Sequence, residues 1–259
     1  MNLRIVKPAS IIALLLASAA VTAAPQDEWK FGVATGLFGL NIEADAGFNA
    51  AGVPVETEVD LDFKDILDFK ETAGGLSGFA AKGPWRFSLA ASVLELTGDV
   101  DGVVGPSNLP ATFDLTFKST GANMAASYRF AVKGKNVWSV YGGARYTKHE
   151  VDFELEVGPS SAGKEIEESW TDIYVGLSHA YIVNSAVIVA SKADVGGGGS
   201  DLSWTVNSAI AWKFHKNWTT AFYGQYYSVK FENGDENDSD WYLFDANEFG
   251  VGLGITFAW

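Results

Sequence analysis

Histidine and carboxylate side chains that could activate a water molecule occur together at one place in this chain. His149 is followed by Glu150 and Asp152, and a second acidic pair, Asp99 and Asp101, ends an earlier alternating segment. An acidic pair and a histidine can act together as a general base in hydrolysis. The competing interpretation is a solvated histidine in a charged segment. The signal for catalysis is weak, so we favour the solvated histidine and expect no catalytic residue here.

An oxygen-rich run at 235–240, Asp-Glu-Asn-Asp-Ser-Asp, could contact a hard cation such as Ca²⁺. It lacks the glycine and the distant bidentate glutamate of an EF-hand loop. Runs of acids are usually solvated. The chain has no cysteine, which excludes a disulfide scaffold and a thiolate metal site. We therefore expect a solvated acidic loop at 232–241, with no metal and no cofactor; an ion that bridges this loop to another anion is the alternative.

The last twelve residues, 248–259, indicate which kind of element must position such groups. Alternate residues form one face of large apolar side chains and one of very small ones. The first face holds Phe249, Val251, Leu253, Ile255, Phe257 and Trp259, and the second holds Glu248, Gly250, Gly252, Gly254, Thr256 and Ala258. Period two predicts a β-strand. Bulk on one face and glycine on the other suit a small closed barrel, with the bulk toward lipid and the small face toward a narrow lumen.

Similar alternation recurs from Trp29 onward, in segments whose connections are alternately short and long. The short ones lie at 83–84, 132–135, 183–184 and 215–216, and those between are mostly longer and acidic. This asymmetry is typical of membrane barrels. The sequence predicts an all-β, transmembrane, antiparallel up-and-down β-barrel of about ten strands, with eight possible.

Charged residues on the inward phase would then share a narrow lumen, where a charge without a partner is costly. We expect a structural ion network there, in which Arg145 and Lys213 pair with inward acids such as Asp172, Asp201 or Glu248. The charged residues of this phase are Arg86, Arg145, Lys192, Lys213, Asp172, Asp194, Asp201 and Glu248.

The alternation changes phase in some long segments. We interpret the change near 119–121 as a β-bulge at Gly121, and the one beyond His149 as a ribbon that projects past the bilayer. Residues 55–62 would extend a strand above the membrane, and 63–70, at helical spacing, predict a short amphipathic cap. The glycine run at 196–200 predicts a hairpin loop.

The first 23 residues have the layout of a secretory signal peptide. Arg4 and Lys7 precede an apolar run at 11–20 and the small residues at 21–23. Cleavage after Ala23 would leave a barrel domain at 24–259. It would also remove two positive charges from a chain of formal net charge −14, and so acidic a chain is a poor candidate for nucleic acid.

The terminal strand, with its aromatic end, resembles the last strand of bacterial outer-membrane β-barrels, which closes the barrel and is read by the assembly machinery. Four further segments resemble a family of small, porin-like proteobacterial outer-membrane barrels, over roughly 29–259. They are Tyr-Gly-Gly-Ala-Arg-Tyr at 141–146, Trp-Thr-Asp at 170–172 with Val175 and Gly176, Ala-Asp-Val-Gly-Gly at 193–197, and Ser-Asp-Leu-Ser-Trp at 200–204. Most relatives end in Phe, whereas this chain ends in Trp259. Many have Gly-Tyr-Arg-Tyr where this chain has Gly-Gln-Tyr-Tyr at 224–227, so one lumen cation is missing.

The resemblance implies a place in the outer membrane of a Gram-negative bacterium, in contact with lipid, lipopolysaccharide and the barrel-assembly machinery. It implies a structural, surface-interaction or limited porin-like role, and leaves the oligomeric state open. The alternative is a barrel enzyme that hydrolyses lipid or peptide at the outer rim. The outer-membrane protease family carries an Asp-x-His pair, whereas His149 follows Tyr-Thr-Lys at 146–148, so we expect no enzyme activity. A third interpretation, a soluble lipocalin-like barrel, would turn the Trp- and Phe-rich faces inward.

Overall fold

The computed structural model describes residues 28–50, 53–61, 70–104, 109–157, 160–236 and 238–259, which are almost entirely β-strand. None of these residues belongs to a helix long and apolar enough to cross a membrane. The strands of these ranges are β1 Lys30–Ala50, β2 Val53–Leu61, β3 Lys70–Lys82, β4 Trp85–Val104, β5 Leu109–Lys133, β6 Asn136–Val157, β7 Ser160–Ile182, β8 Val187–Gly197, β9 Leu202–Lys213, β10 Trp218–Asn233 and β11 Tyr242–Ala258.

Ten of these strands close into one antiparallel barrel. Consecutive strands from β3 to β11 pair as hairpins, and β1 pairs with β3 on one side and with β11 on the other. The closing ladder runs from Gly32 opposite Ala258 to Phe48 opposite Tyr242. The predicted closed all-β barrel of about ten strands is confirmed, and the terminal strand is the one that closes it.

The remaining strand, β2, pairs with the upper part of β1, where Ile42 lies opposite Leu61 and Ala50 opposite Val53. The lower end of β1 pairs with β3 instead. The alternating segment expected to extend a strand is therefore a second strand laid against β1. Residues 63–69 of the expected helical cap lie outside the described residues. Lys70, the last residue of that segment, begins β3.

A belt of exposed apolar side chains surrounds the barrel. On β9 and β11 it includes Val206, Ile210, Trp212, Val251, Leu253 and Ile255. Trp204 belongs to it but is half-buried, because its ring stacks on Tyr226 at 4.9 Å. Leu253 is 56% exposed, so the inward-facing arrangement of a lipocalin-like barrel is wrong for this chain.

Aromatic residues border the belt at both edges, as in membrane barrels. The edge near the short turns carries Trp85, Trp138, Tyr181, Trp212, Trp218 and Trp259, and the other edge, here called the outer girdle, carries Tyr146, Trp204, Tyr226 and Phe249. Above the outer girdle the outward side chains are charged.

The two faces of the strands exchange polarity above the outer girdle without a slip in register. On β6 the outward series continues from Tyr146 to charged residues, while the inward series continues from Arg145 to His149 and Val151. The β5–β6 ladder is unbroken at Gly121, and its register shifts between Arg129 and Ala131. The bulge predicted at Gly121 is wrong. The pattern changes because the outward side chains pass from the apolar belt to charged residues while the inward ones become an apolar core.

Candidate functional site

The barrel interior above the outer girdle is filled by a cluster of apolar side chains, here called the plug. Its members come from strands all around the barrel and include Leu40, Ile42, Leu96, Trp170, Phe231, Tyr242 and Phe244. The rings of Trp170 and Phe231 stack in parallel, with centroids 4.3 Å apart. All of these side chains are buried. The plug is therefore packed like the core of a soluble protein.

His149 lies inside the plug and is 3% exposed. Its ring makes edge contacts with Phe117, Trp170 and Phe244 at centroid distances of 4.9, 4.9 and 4.6 Å. Its Nδ1 lies 3.0 Å from the hydroxyl of Tyr242. Burial lowers the pKa of His149 to about 3, so the imidazole is neutral. The solvated histidine expected here is wrong.

The acids that follow His149 in sequence point away from it. Glu150 lies on the outer surface, between Lys118 at 3.2 Å and Lys148 at 3.4 Å. Its pKa is lowered by the hydrogen bond from Lys118. Since alternate residues of a strand face opposite sides, the His-Glu-x-Asp sequence places no carboxylate beside the imidazole. The local sequence therefore does not form a hydrolytic group.

Below the plug lies a polar cavity of about 390 Å³, here called the chamber. It extends from the underside of Trp170 and Phe244 to Val137, Ala180 and Ala211 near the short turns. Its charged and amide side chains are Arg86, Asn123, Arg145, Lys192, Asp194, Asn207, Gln225 and Glu248, and Tyr141, Tyr174 and Tyr227 add their rings.

Arg145 and Asp194 form the ion pair at the centre of the chamber, with Nη2 and Oδ1 2.7 Å apart. The hydroxyl of Tyr141 donates to the other carboxylate oxygen at 2.8 Å. The rings of Tyr174 and Tyr227 lie 4.9 and 5.0 Å from the guanidinium carbon. The expected lumen ion pair of Arg145 exists, but its acid is Asp194 rather than Asp172, Asp201 or Glu248.

Asp172 supports a loop instead. This carboxylate is fully buried and accepts hydrogen bonds from Ser200 N, Ser200 Oγ and Ser203 Oγ, each at 2.7 Å. Gly199 N donates a longer one at 3.3 Å. The glycine run at 196–200 forms the predicted β8–β9 hairpin connection, and Asp172 fixes it over the barrel wall. The sequence placed Asp172 inward but did not show that serine hydroxyls would satisfy it.

The remaining predicted lumen charges divide into two groups. Lys192, Arg86 and Glu248 line the chamber, as expected. Asp201 precedes β9 and Lys213 is its last residue, and both side chains are exposed. Neither residue joins the four ion pairs found in the described part of the chain. Their predicted place in the lumen network is wrong, because the inward phase continues past the wall into solvent.

The other candidate residues lie in the acidic loop, near a short turn and on a paired strand. In the acidic loop, Asp235 N donates to Asp238 Oδ2 at 3.0 Å. His179 lies near the short turns, 2.9 Å from Asn136 Oδ1. The backbones of Asp99 and Asp101 pair with β5, and their side chains lie outside the described residues. Within the described ranges, no three His, Asp or Glu side chains are grouped so as to hold a metal ion.

No family model matches the chain, and no curated protein matches it. Solved structures do resemble it in fold. The outer membrane protease OmpT from Escherichia coli is 10% identical, with 93% of this chain and 100% of that chain covered and a TM-score of 0.49. An outer membrane channel from Pseudomonas putida F1 is 12% identical, with 95% and 100% covered and a TM-score of 0.41. Neisserial surface protein A is 13% identical, with 88% and 96% covered and a TM-score of 0.28.

These three proteins are a protease, a channel and a surface protein. Because the identities are so low, the likeness concerns the fold alone, and one fold hosts unrelated functions. The closed, ten-stranded antiparallel barrel of this chain is therefore established by its own strand pairings.

Proposed function

We propose that this chain is an integral outer-membrane barrel with a structural and surface-interaction role, and that its lumen is closed to solutes. The observation that carries the proposal is the plug. Trp170 and Phe231 stack across the lumen directly above the chamber. A dry apolar layer is a barrier to ions and polar solutes. The polar chamber therefore ends at the plug instead of continuing as a channel.

The outer end would meet its surroundings through a charged surface. Above the outer girdle the exposed side chains include Glu43, Asp45, Asp152, Glu154, Glu165 and Glu167. These outward acids keep the projecting strands solvated while the plug holds them together from inside. Such an end is a stiff, soluble platform on a membrane anchor, which suits contact with lipopolysaccharide or with other surface molecules.

The proposal includes the absence of enzyme activity. A rim hydrolase needs a base within hydrogen-bond reach of a water molecule and its substrate. His149, the histidine nearest the outer rim, is neutral and enclosed by three aromatic rings. Its Nδ1 is hydrogen-bonded to the hydroxyl of Tyr242. This surrounding favours a packing role for His149.

Planar-bilayer recording tests the closed lumen. The unaltered protein should show no large, stable conductance, and the double variant Trp170→Ala/Phe231→Ala should show stepwise openings, because the lumen then loses its two stacked rings. Ile173→Ala is the matched control, since Ile173 lies on the same strand but is 66% exposed on the outer face. Heat-modifiable gel mobility verifies that each variant is folded. Large, stable conductance of the unaltered protein would overturn the proposal and would support a porin function instead.

A further inference from the structure

The chamber holds two opposite charges that form no ion pair within 4 Å; Lys192 interacts with Asp194, and Glu248 with Arg145, only at longer range. Lys192 and Glu248 both line it, yet neither takes part in the four ion pairs within 4 Å that occur in the described ranges. The ring of Tyr141 lies 5.9 Å from Lys192 Nζ. Asp194, the acid nearest to Lys192 in sequence, is already bound to Arg145 at 2.7 Å. One cation and one carboxylate therefore remain available to the cavity.

Between these two charges lies an amide whose polar atoms are not satisfied. Asn207 is 3% exposed, and neither its Oδ1 nor its Nδ2 has a hydrogen-bond partner. The neighbouring Thr205 Oγ1 is in the same condition. Buried polar atoms are normally hydrogen-bonded, and an exception calls for an explanation. An amide that offers one donor and one acceptor to a cavity is the natural partner of a peptide group.

The ladders place the three groups in order along one wall. Lys192 on β8 lies opposite Asn207 on β9. Glu248 on β11 lies opposite Tyr227 on β10, which lies opposite Thr205 on β9. Three inter-strand spacings and an offset of two residues along the strands separate the outer two backbones by about 16 Å, and both side chains line the cavity between them. Along the barrel wall, the order of the groups is therefore cation, amide and carboxylate.

We infer that the chamber is a binding site for a small zwitterion of the dipeptide class. Its carboxylate would lie at Lys192, its peptide group at Asn207 and its ammonium at Glu248. A cavity of about 390 Å³ has the size of a small-molecule site. Because the plug lies at the outer end, the ligand would enter from the end near the short turns. This inference goes beyond the proposed function, because a chamber can bind a ligand without conducting it.

Equilibrium dialysis with labelled glycylglycine on the purified, folded protein tests the inference. Two blocked relatives are the ligand controls: N-acetylglycylglycine lacks the ammonium and glycylglycine amide lacks the carboxylate. We expect saturable binding of glycylglycine and binding of each blocked form that is weaker by about tenfold or more, since each loses a charge-assisted contact. No binding of glycylglycine, or equal binding of a blocked form, would overturn the inference; equal binding of the acetylated form would identify a plain anion site.

Substitutions then assign each contact. Lys192→Met should abolish the preference for glycylglycine over its amide, and Glu248→Gln should abolish the preference over the acetylated form. Lys213→Met is the matched control, because Lys213 is exposed at the end of β9. If Lys192 or Glu248 had only a structural role, its substitution would weaken the binding of all three ligands equally, and this result would contradict the assignment. The ligand comparison on the unaltered protein decides the question even where a variant fails to fold, and its outcome is independent of the conductance test.

Discussion

His149 shows how the role of one residue depends on what surrounds it. Its sequence neighbours are charged, but its spatial neighbours are Phe117, Trp170 and Phe244. An imidazole in such a place keeps the neutral form, because the protonated form would lose its hydration without gaining an acid. The hydroxyl of Tyr242 at 3.0 Å satisfies one ring nitrogen.

The pKa of His149 predicts a pH dependence of stability. It is about 3 in the folded protein and about 6.5 in the unfolded chain, so the unfolded chain binds the proton more tightly. The stability contributed by the neutral imidazole is complete above pH about 6.5 and is lost as the pH falls toward 3. Between pH 7.5 and 4.5 the loss should be about 2–3 kcal/mol.

Urea unfolding in detergent micelles at several pH values measures this loss. His149→Gln keeps a polar group for Tyr242 but does not titrate, so its free energy of unfolding should fall less steeply below pH 6.5. The outward acids titrate in both proteins and cancel in the comparison. Parallel curves for the two proteins would show that His149 does not contribute.

At the scale of one element, β11 shows what the glycine face is for. The rings of Phe38 and Tyr223 stack 5.6 Å apart across the inner surface of this strand. A Cβ on Gly252 would lie 2.6 Å from Tyr223 Cζ and would also meet the carbonyl oxygen of Leu37. A Cβ on Gly254 would lie 3.6 Å from its nearest atom, Thr35 O. The small face therefore makes room for aromatic rings that cross the lumen.

These two glycines form a matched pair for a test of packing. Gly252→Ala should destabilise the barrel by about 1–3 kcal/mol, because the backbone of β1 cannot move away while it remains paired with β11. Gly254→Ala should be close to neutral, since its Cβ meets only ordinary contacts. The free energy of unfolding in micelles measures both. Equal effects would mean that the glycines serve strand conformation and not the space around Tyr223.

For the whole molecule, closure depends on the last strand. β11 pairs with β10 on one edge and β1 on the other, and Phe31 and Trp259 exchange two backbone hydrogen bonds of 3.0 Å at its end. Without β11, two edges would face lipid with unsatisfied donors and acceptors, at a cost of several kcal/mol for each group. Closure is therefore a condition of membrane insertion.

Removal of 249–259 should abolish insertion and expose the chain to periplasmic proteases, whereas Trp259→Phe should be neutral or slightly favourable. The measurement is outer-membrane abundance, by fractionation and heat-modifiable mobility, at equal synthesis of the three proteins. Normal insertion of the truncated chain would contradict the closing role of β11.

The sequence by itself determined the class of fold. Strict alternation in β11 and the alternation of short and long connections follow from local geometry, since successive side chains of a strand point to opposite sides and hairpin turns need few residues. The exposed apolar belt at Val251, Leu253 and Ile255 was predicted on the same basis and is confirmed.

Only the tertiary structure decided what the interior does. In the sequence, the exchange of polarity on β6 looks like a register slip. The alternation of residues shows which face of a strand is apolar, but it does not show whether that face lies on the inside or the outside of the barrel. The partner of Arg145 is Asp194, on β8, and the partners of Asp172 lie on the next hairpin, at distances along the chain that no local pattern encodes. The curvature of the closed wall brings Lys192, Asn207 and Glu248 to one chamber, and closure is a property of all ten strands together.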